Sequence, residues 1–374
     1  ARWIFLLSLF FFFWMLCKYL TQTENLVTLV GVIIGVALIQ SLYGLLQAMI
    51  PTIGVLGADV SSGLGDARGT FINRNHFAGF IEMVWPLGLG LILAKARSSK
   101  KDKRYSSRSI PTIKRLKIYL SSDRIGFQLF IISTLLFILL ALLFSKSRAG
   151  IIGAFIGLVA YILLCHMGGK KLSQGVWITL GMGGVLLLFY SSAIGFEQII
   201  SRFLAIEGHA GSRINIWKDT IVIIKEHPFG IGLGNYEYVM PVFNAHGPYG
   251  TSYAHVHNDY LQLLAETGWP GFIALVGGFY VFLGKSVLMI RRFGSKMSPE
   301  RFYITVGAIS GLISMAFHSF FDFNLQIPAN MLYFVVLMAI VISNEQRAMS
   351  NEGGLMTKVK KRIRVKIEDE KLGR

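Results

Sequence analysis

Residues 127–167 read FQLFIISTLLFILLALLFSKSRAGIIGAFIGLVAYILLCHM, two apolar runs parted by Ser145-Lys146-Ser147-Arg148. A bilayer core about 30 Å thick needs about 20 apolar helical residues to cross it. The two runs, 127–144 and 149–167, therefore read as successive crossings joined by a short polar hinge. Working outward, the same criterion gives seven more: 3–17, 26–50, 76–94, 176–194, 271–290, 303–320 and 328–343. The first has a signal-peptide-like core, but Lys18-Tyr19 follows it instead of a small-residue cleavage site, so it counts as a span. The reading is an all-α, polytopic integral membrane protein of about nine spans. Composition agrees: of 374 residues, 53% are hydrophobic and 15% charged, against about 25% charged in soluble domains. A soluble enzyme, a disordered chain and a coiled coil are excluded. Cys17 and Cys165 both fall inside apolar runs, which argues against a disulfide framework or a cysteine metal site.

The net charge of +17 has to be located before it is interpreted. Segment 95–126 carries +9, Lys170-Lys171 +2, segment 291–301 +3 and the tail from 344 +4. All four fall on one side if nine spans alternate, and together they exceed the net charge of the whole chain. The opposite side includes loop 195–270, with four basic and seven acidic residues. The basic excess is thus a positive-inside signal, and no nucleic-acid partner is expected. A cytoplasmic tail after nine crossings puts residue 1 outside. With Ala at position 1, this suggests at least one further span upstream. Four regions follow: N-terminal spans in 1–194, a helical outer loop in 195–270, C-terminal spans in 271–343 and a basic tail in 344–374.

The polar chemistry collects on the outer side. Loop 51–75 ends in Thr70-Phe71-Ile72-Asn73-Arg74-Asn75, and loop 195–270 is longer than a connection requires. In the latter, Ser212 is placed to cap a helix whose apolar face carries Ile214, Trp217, Ile221 and Ile224 and which ends before His227-Pro228. Gly230, Gly232 and Gly234 lack the spacing and the preceding strand of a dinucleotide site. They read as a tight backbone turn able to approach a ligand closely. A short helix over 235–246 and another from about 253 to Thr267 complete the loop. Within the spans, Glu82 and His318 are candidates for function or for a buried pair, and His318 is one helical turn from Asp322.

His257-Asn258, followed after nine residues by Gly268 and after two more by Gly271, resembles the signature of the bacterial O-antigen ligase and O-antigen polymerase superfamily. Five further blocks are similar to family blocks in the same order: Thr70 to Asn75, Ser147-Arg148-Ala149-Gly150, Arg213-x3-Trp217, His227-Pro228-x-Gly230-x-Gly232 and His318-x3-Asp322-Phe323. They span residues 65–330. The family has about a dozen spans with both termini cytoplasmic, so the nine seen here again point to missing N-terminal sequence.

The resemblance implies transfer of a glycan from undecaprenyl diphosphate to an acceptor hydroxyl, of lipid A core or of a growing polysaccharide, on the periplasmic face of the inner membrane. It implies neither metal nor cofactor. Arginine suits the diphosphate because its fork binds phosphate oxygens bidentately and keeps its charge. Arg148 and Arg213 are the expected grips, and Arg74 and Asn75 further substrate contacts. His257 is the expected general base, in the first turn of its helix where the dipole favours the neutral ring. Asn258, His255, Tyr236 and Gly232 complete the expected substrate-binding set, with His255 the alternative base. A zinc site at His255 and His257 is the lesser reading, since neither Asp259 nor Glu266 has metalloprotease spacing. A non-catalytic transporter is the rival function; it would place polar groups near mid-membrane.

Overall fold

The computed structural model describes residues 2–50, 52–57, 65–98, 123–170, 181, 207–246 and 253–347. The expected span 176–194 lies outside them, as do most of segment 95–126, the start of loop 195–270 and most of the tail. The described residues are helical throughout, with no strand: α1 (Arg2–Tyr19), α2 (Thr23–Met49), α3 (Arg74–Ser98), α4 (Asp123–Phe144), α5 (Arg148–Met167), α6 (Glu207–Glu226), α7 (Tyr236–Phe243), α8 (Asp259–Phe272), α9 (Gly278–Phe293), α10 (Pro299–His318) and α11 (Pro328–Arg347). Eight expected spans coincide with these helices. Among the described residues five segments are long and apolar enough to cross a membrane: Thr23–Met49, Arg74–Lys95, Arg148–Met167, Asp259–Lys296 and Pro328–Arg347.

The centre of the bundle is α3 against α10, flanked by α5. Helix α10 carries Arg301, Thr305, Ser310, Ser314 and His318, and all five are buried. It is too polar to face lipid and is enclosed by protein instead. Small residues let the backbones meet. A Cβ on Gly307 would lie 2.5 Å from the Pro86 carbonyl oxygen, one on Gly311 2.5 Å from that of Met83, and one on Gly90 2.5 Å from that of Tyr303. On α5, Gly157 similarly admits the Ser314 hydroxyl.

Long-range contacts sort the helix ends into two sets. At one end Arg301 binds Thr23, Asn344 and the Leu20 and Thr21 carbonyls, and Lys170 reaches the Met297 carbonyl. At the other, the start of α3, the α4–α5 turn, the start of α8 and the α10–α11 turn come together. Lys170, segment 291–301 and residues 344–347 belong to the first set.

Helices α8 and α9 are joined through a π-helical stretch, Ile273–Gly277. Within α8 the backbone leaves helical geometry at Gly268, with φ of 64°, so its first turns are kinked away from the remainder. These first turns belong to a separate lobe, where Ile216, Ile223, Ile224, Tyr236, Met240, Val256, Leu264 and Ala265 form a second core. Two expectations are corrected here. Helix α6 starts at Glu207, so Ser212 lies inside it and is not its cap. Of the expected apolar face, Ile224 is buried and Trp217 packs against the lobe's core, but Ile214 and Ile221 are exposed; Ile216, Thr220 and Ile223 complete the buried side, which α7 and α8 cover.

Gly307→Leu or Gly311→Leu should separate α10 from α3 and cost about 1–3 kcal/mol or more, as overpacking does. Thermal unfolding of the detergent-solubilised protein should show it, whereas Gly35→Ala, with nothing within 4 Å of the added Cβ, should melt like the parent.

Candidate functional site

The turn after α10 is fixed from both sides by Asp259, the first residue of α8. Its carboxylate accepts from the Ser319 hydroxyl at 2.9 Å and the Leu325 N–H at 3.1 Å, and its own N–H donates to the Ser319 carbonyl. This holds Asp322, whose side chain is 1% exposed, at the junction of three other segments. From α3, the Asn75 amide donates to its Oδ2 at 2.6 Å. From the segment before α8, His257 Nδ1 lies 3.2 Å from Oδ1. From α6, the Arg213 guanidinium donates to the Phe321 carbonyl at 2.7 Å and stands 3.8 Å from Asp322 Oδ2. His76 Nε2 is 3.9 Å from Oδ1. Burial alone would raise the Asp322 pKa. The hydrogen bond to His257, with the nearby His76, His257 and His318 rings, more than offsets it and holds the group well below the ordinary carboxylate range.

Phe323 organises the imidazoles. His255 stacks on its ring at 4.1 Å, and His76 and His257 meet it edge-on at 4.6 and 4.8 Å. His257 departs from expectation in its backbone. It lies before α8, with φ of 55°, and Asn258 is the N-cap, accepting from the Leu261 N–H at 3.0 Å. Asp322, and not a place in the first helical turn, orients this ring. With Nδ1 turned to the carboxylate, Nε2 is the nitrogen left to meet a substrate hydroxyl. His255 turns its Nδ1 to the Gln262 amide.

The other expected residues sort differently. Arg74 pairs with Asp66, which Lys146 also approaches at 3.1 Å. Arg148 is the first residue of α5, directly after the Ser147 N-cap and two residues from Lys146, at the same end of the bundle. Tyr236 is 1% exposed in the core of the separate lobe, bonded to the Thr220 hydroxyl at 2.7 Å, and no sugar can stack on it. The glycine turn approaches protein backbone, not a ligand. A Cβ on Gly230 would strike the Gly268 nitrogen at 2.5 Å, the Gly232 N–H donates to the Glu266 carbonyl, and the Glu266 carboxylate accepts from the Gly234 N–H. Gly232 thus wraps the end of α8. His318 pairs with Glu82 at 3.0 Å, both fully buried, and not with Asp322. Asp322, Asn75 and His76 form the centre of the site. Of these, Asp322 and His76 were not among the expected site residues, although Asp322 stands in the last family-like block. Among the described residues no group of three or more His, Cys, Asp or Glu side chains is placed to hold a metal ion.

Residues 133–276 match the protein family described as O-Antigen ligase, in agreement with the superfamily that the sequence blocks resemble. The match contains Arg148, Arg213, His255 and His257; Asn75 and Asp322 lie outside it. No curated protein matches the chain.

Because the Asp322 value is depressed on folding, its charge stabilises the fold above the ordinary carboxylate pKa and ceases to do so as pH falls. Thermal unfolding of the parent and of Asp322→Asn should therefore differ at pH 7, with the parent more stable. The gap should shrink as pH is lowered below about 4.

Proposed function

We propose that this chain, a member of the O-antigen ligase superfamily, transfers a glycan from undecaprenyl diphosphate to an acceptor hydroxyl at the periplasmic face of the bacterial inner membrane. The observation that carries the reading is the convergence of His257 and Arg213 on one buried carboxylate, Asp322. A base and a permanent cation are thereby held within reach of a common substrate.

In this reaction the acceptor oxygen attacks the anomeric carbon of the lipid-linked sugar. The bond from that carbon to the diphosphate oxygen breaks, and undecaprenyl diphosphate leaves with the electron pair. His257 Nε2 takes the proton of the acceptor hydroxyl, and Asp322 holds the ring in the tautomer that allows it and stabilises the imidazolium that forms. Arg213 and Arg148 balance the charge growing on the leaving diphosphate. Base and counter-charges are side chains, so the scheme requires no metal or cofactor. Lipid A core is the acceptor in this reading. A growing polysaccharide in a polymerase would use the same groups. The transporter reading has less support, since the polar cluster around Asp322 lies at one end of the bundle, and the buried Glu82–His318 pair is closed within it.

His257→Ala should lower conversion of lipid-linked glycan in membranes by about 10²-fold or more at unchanged protein level, the range for loss of a general base. Normal turnover would remove His257 from this role. Arg213→Lys should also impair the reaction if the fork is needed. In a deletion strain, loss of all long chains from lipid A core supports a ligase, and capping by a single repeat supports a polymerase.

A further inference from the structure

His255 and His257 rest on one benzene ring. His255 stacks on Phe323 at 4.1 Å, His257 meets it edge-on at 4.8 Å, and both imidazoles are half-buried. A neutral imidazole carries its proton on one nitrogen, and the hydrogen-bond partner of either nitrogen decides which. For His257 that partner is the Asp322 carboxylate, an acceptor, 3.2 Å from Nδ1. The proton then sits on Nδ1 and the lone pair on Nε2.

For His255 the partner is Gln262, which is fully buried. Its amide has a single orientation open to it. The Val256 N–H donates to Oε1 at 3.3 Å, and the Glu266 carboxylate accepts one Nε2 hydrogen at 3.1 Å. Glu266 is itself fixed, its other oxygen accepting from the Gly234 N–H at 2.8 Å. The second Nε2 hydrogen of Gln262 needs an acceptor as well, because a buried N–H is left without one more rarely than an oxygen is left with a single bond. It meets His255 Nδ1 at 3.2 Å, whereas Oε1, 3.3 Å from the same nitrogen, already holds the Val256 hydrogen. His255 Nδ1 therefore turns its lone pair to Gln262, and Nε2 bears the proton. The two rings are held in opposite tautomers.

We propose that His255 is a hydrogen-bond donor to the acceptor sugar, its Nε2–H binding the oxygen of the hydroxyl next to the one whose proton His257 removes. The inference rests on the proposed transfer reaction and adds which class of acceptor the site reads. Two imidazoles on one ring, one offering a lone pair and the other a proton, match a pair of neighbouring hydroxyl groups, which have both a hydrogen to give and a lone pair to share. An ionised phosphate has no hydrogen to give, so it suits the guanidinium groups and not this pair. The acceptor is thus a sugar with a second hydroxyl beside the reacting one. His255 is not a second base in this scheme. Gln262 and Glu266 are positioning residues that touch no substrate and act through the His255 tautomer.

Two measurements on the full chain in nanodiscs test this. With isotopically labelled histidine nitrogens, NMR should find the His255 proton on Nε2 and the His257 proton on Nδ1, each signal assigned by its loss in His255→Gln or His257→Gln. Gln262→Leu should bring the other His255 tautomer into view. Kinetics then compare a lipid A core acceptor with the same acceptor deoxygenated beside the reacting carbon. His255→Leu should raise KM for the first about tenfold, as loss of one hydrogen bond does, and leave KM for the second at the parent's value. The acid limb of the pH profile should stay in place, since His257 remains the base, and His255→Gln, which keeps an N–H, should recover part of the loss. A proton on His255 Nδ1, an equal penalty with both acceptors or a shifted acid limb would overturn the assignment. No glycan transfer by the parent, with the tautomers as given, would instead sink the transfer reaction and the acceptor claim with it, but not the tautomer assignment.

Discussion

A carboxylate with 1% of its side chain exposed is tolerable only if its charge is met by donors on every side. Asp322 imposes that condition on this whole end of the molecule. Asn75 comes from the start of α3, His257 from the segment before α8, and Arg213 from α6. Nothing in their local sequence would bring these three side chains together. Asp259 performs the complementary task, binding the backbone of the turn that presents Asp322. One acid supplies the charge of the site and the other its geometry.

The central helices place these groups. Asn75 and Asp322 meet because α3 and α10 run in close contact, and that contact depends on glycines that admit the opposing carbonyl oxygens. The Glu82–His318 pair lies on the same interface, with His318 closing α10 immediately before the turn. Two side chains that are both excluded from water share a hydrogen bond across the two helices, which keeps their ends in register beneath the site.

The spans were readable in the sequence because hydropathy is a direct consequence of the solvent. The two helices that protein encloses, α3 and α10, were legible by the same criterion, but their burial was not. His257 and Arg213 were readable as chemistry and through their family-like blocks. Their shared partner was not, since the local rule for residues four apart in a helix paired His318 with Asp322. That rule lost to a long-range demand: buried Glu82 needs a donor, and His318 is the one α10 offers. Tyr236 and Gly232 misled for a related reason. An aromatic ring and a glycine turn in an outer loop suggest ligand contact only until the loop is seen to have a core of its own, which Tyr236 fills and around which the turn closes. The buried face of α6 was equally hidden, because the helix offers isoleucines on two sides and only α7 and α8 select between them.

The same logic explains how a cavity of about 700 Å³ beside the cluster, lined by Val36, Phe71, Phe80, Phe323 and Tyr333, can stay open against the tendency of apolar walls to collapse. Its walls, α2 and α11, are tied at both ends by polar groups. At the basic end Arg301, 5% exposed, binds Thr23 at the start of α2 and Asn344 near the end of α11. At the site end Gln40 and Gln47 hold α2 to residues 68–70, and Asn330 of α11 donates to the His76 carbonyl at 2.9 Å. Directional bonds thus fix a separation that hydrophobic contact alone would close. The tie through His76 matters most, since it links the spacing of these walls to a ring that also faces Asp322.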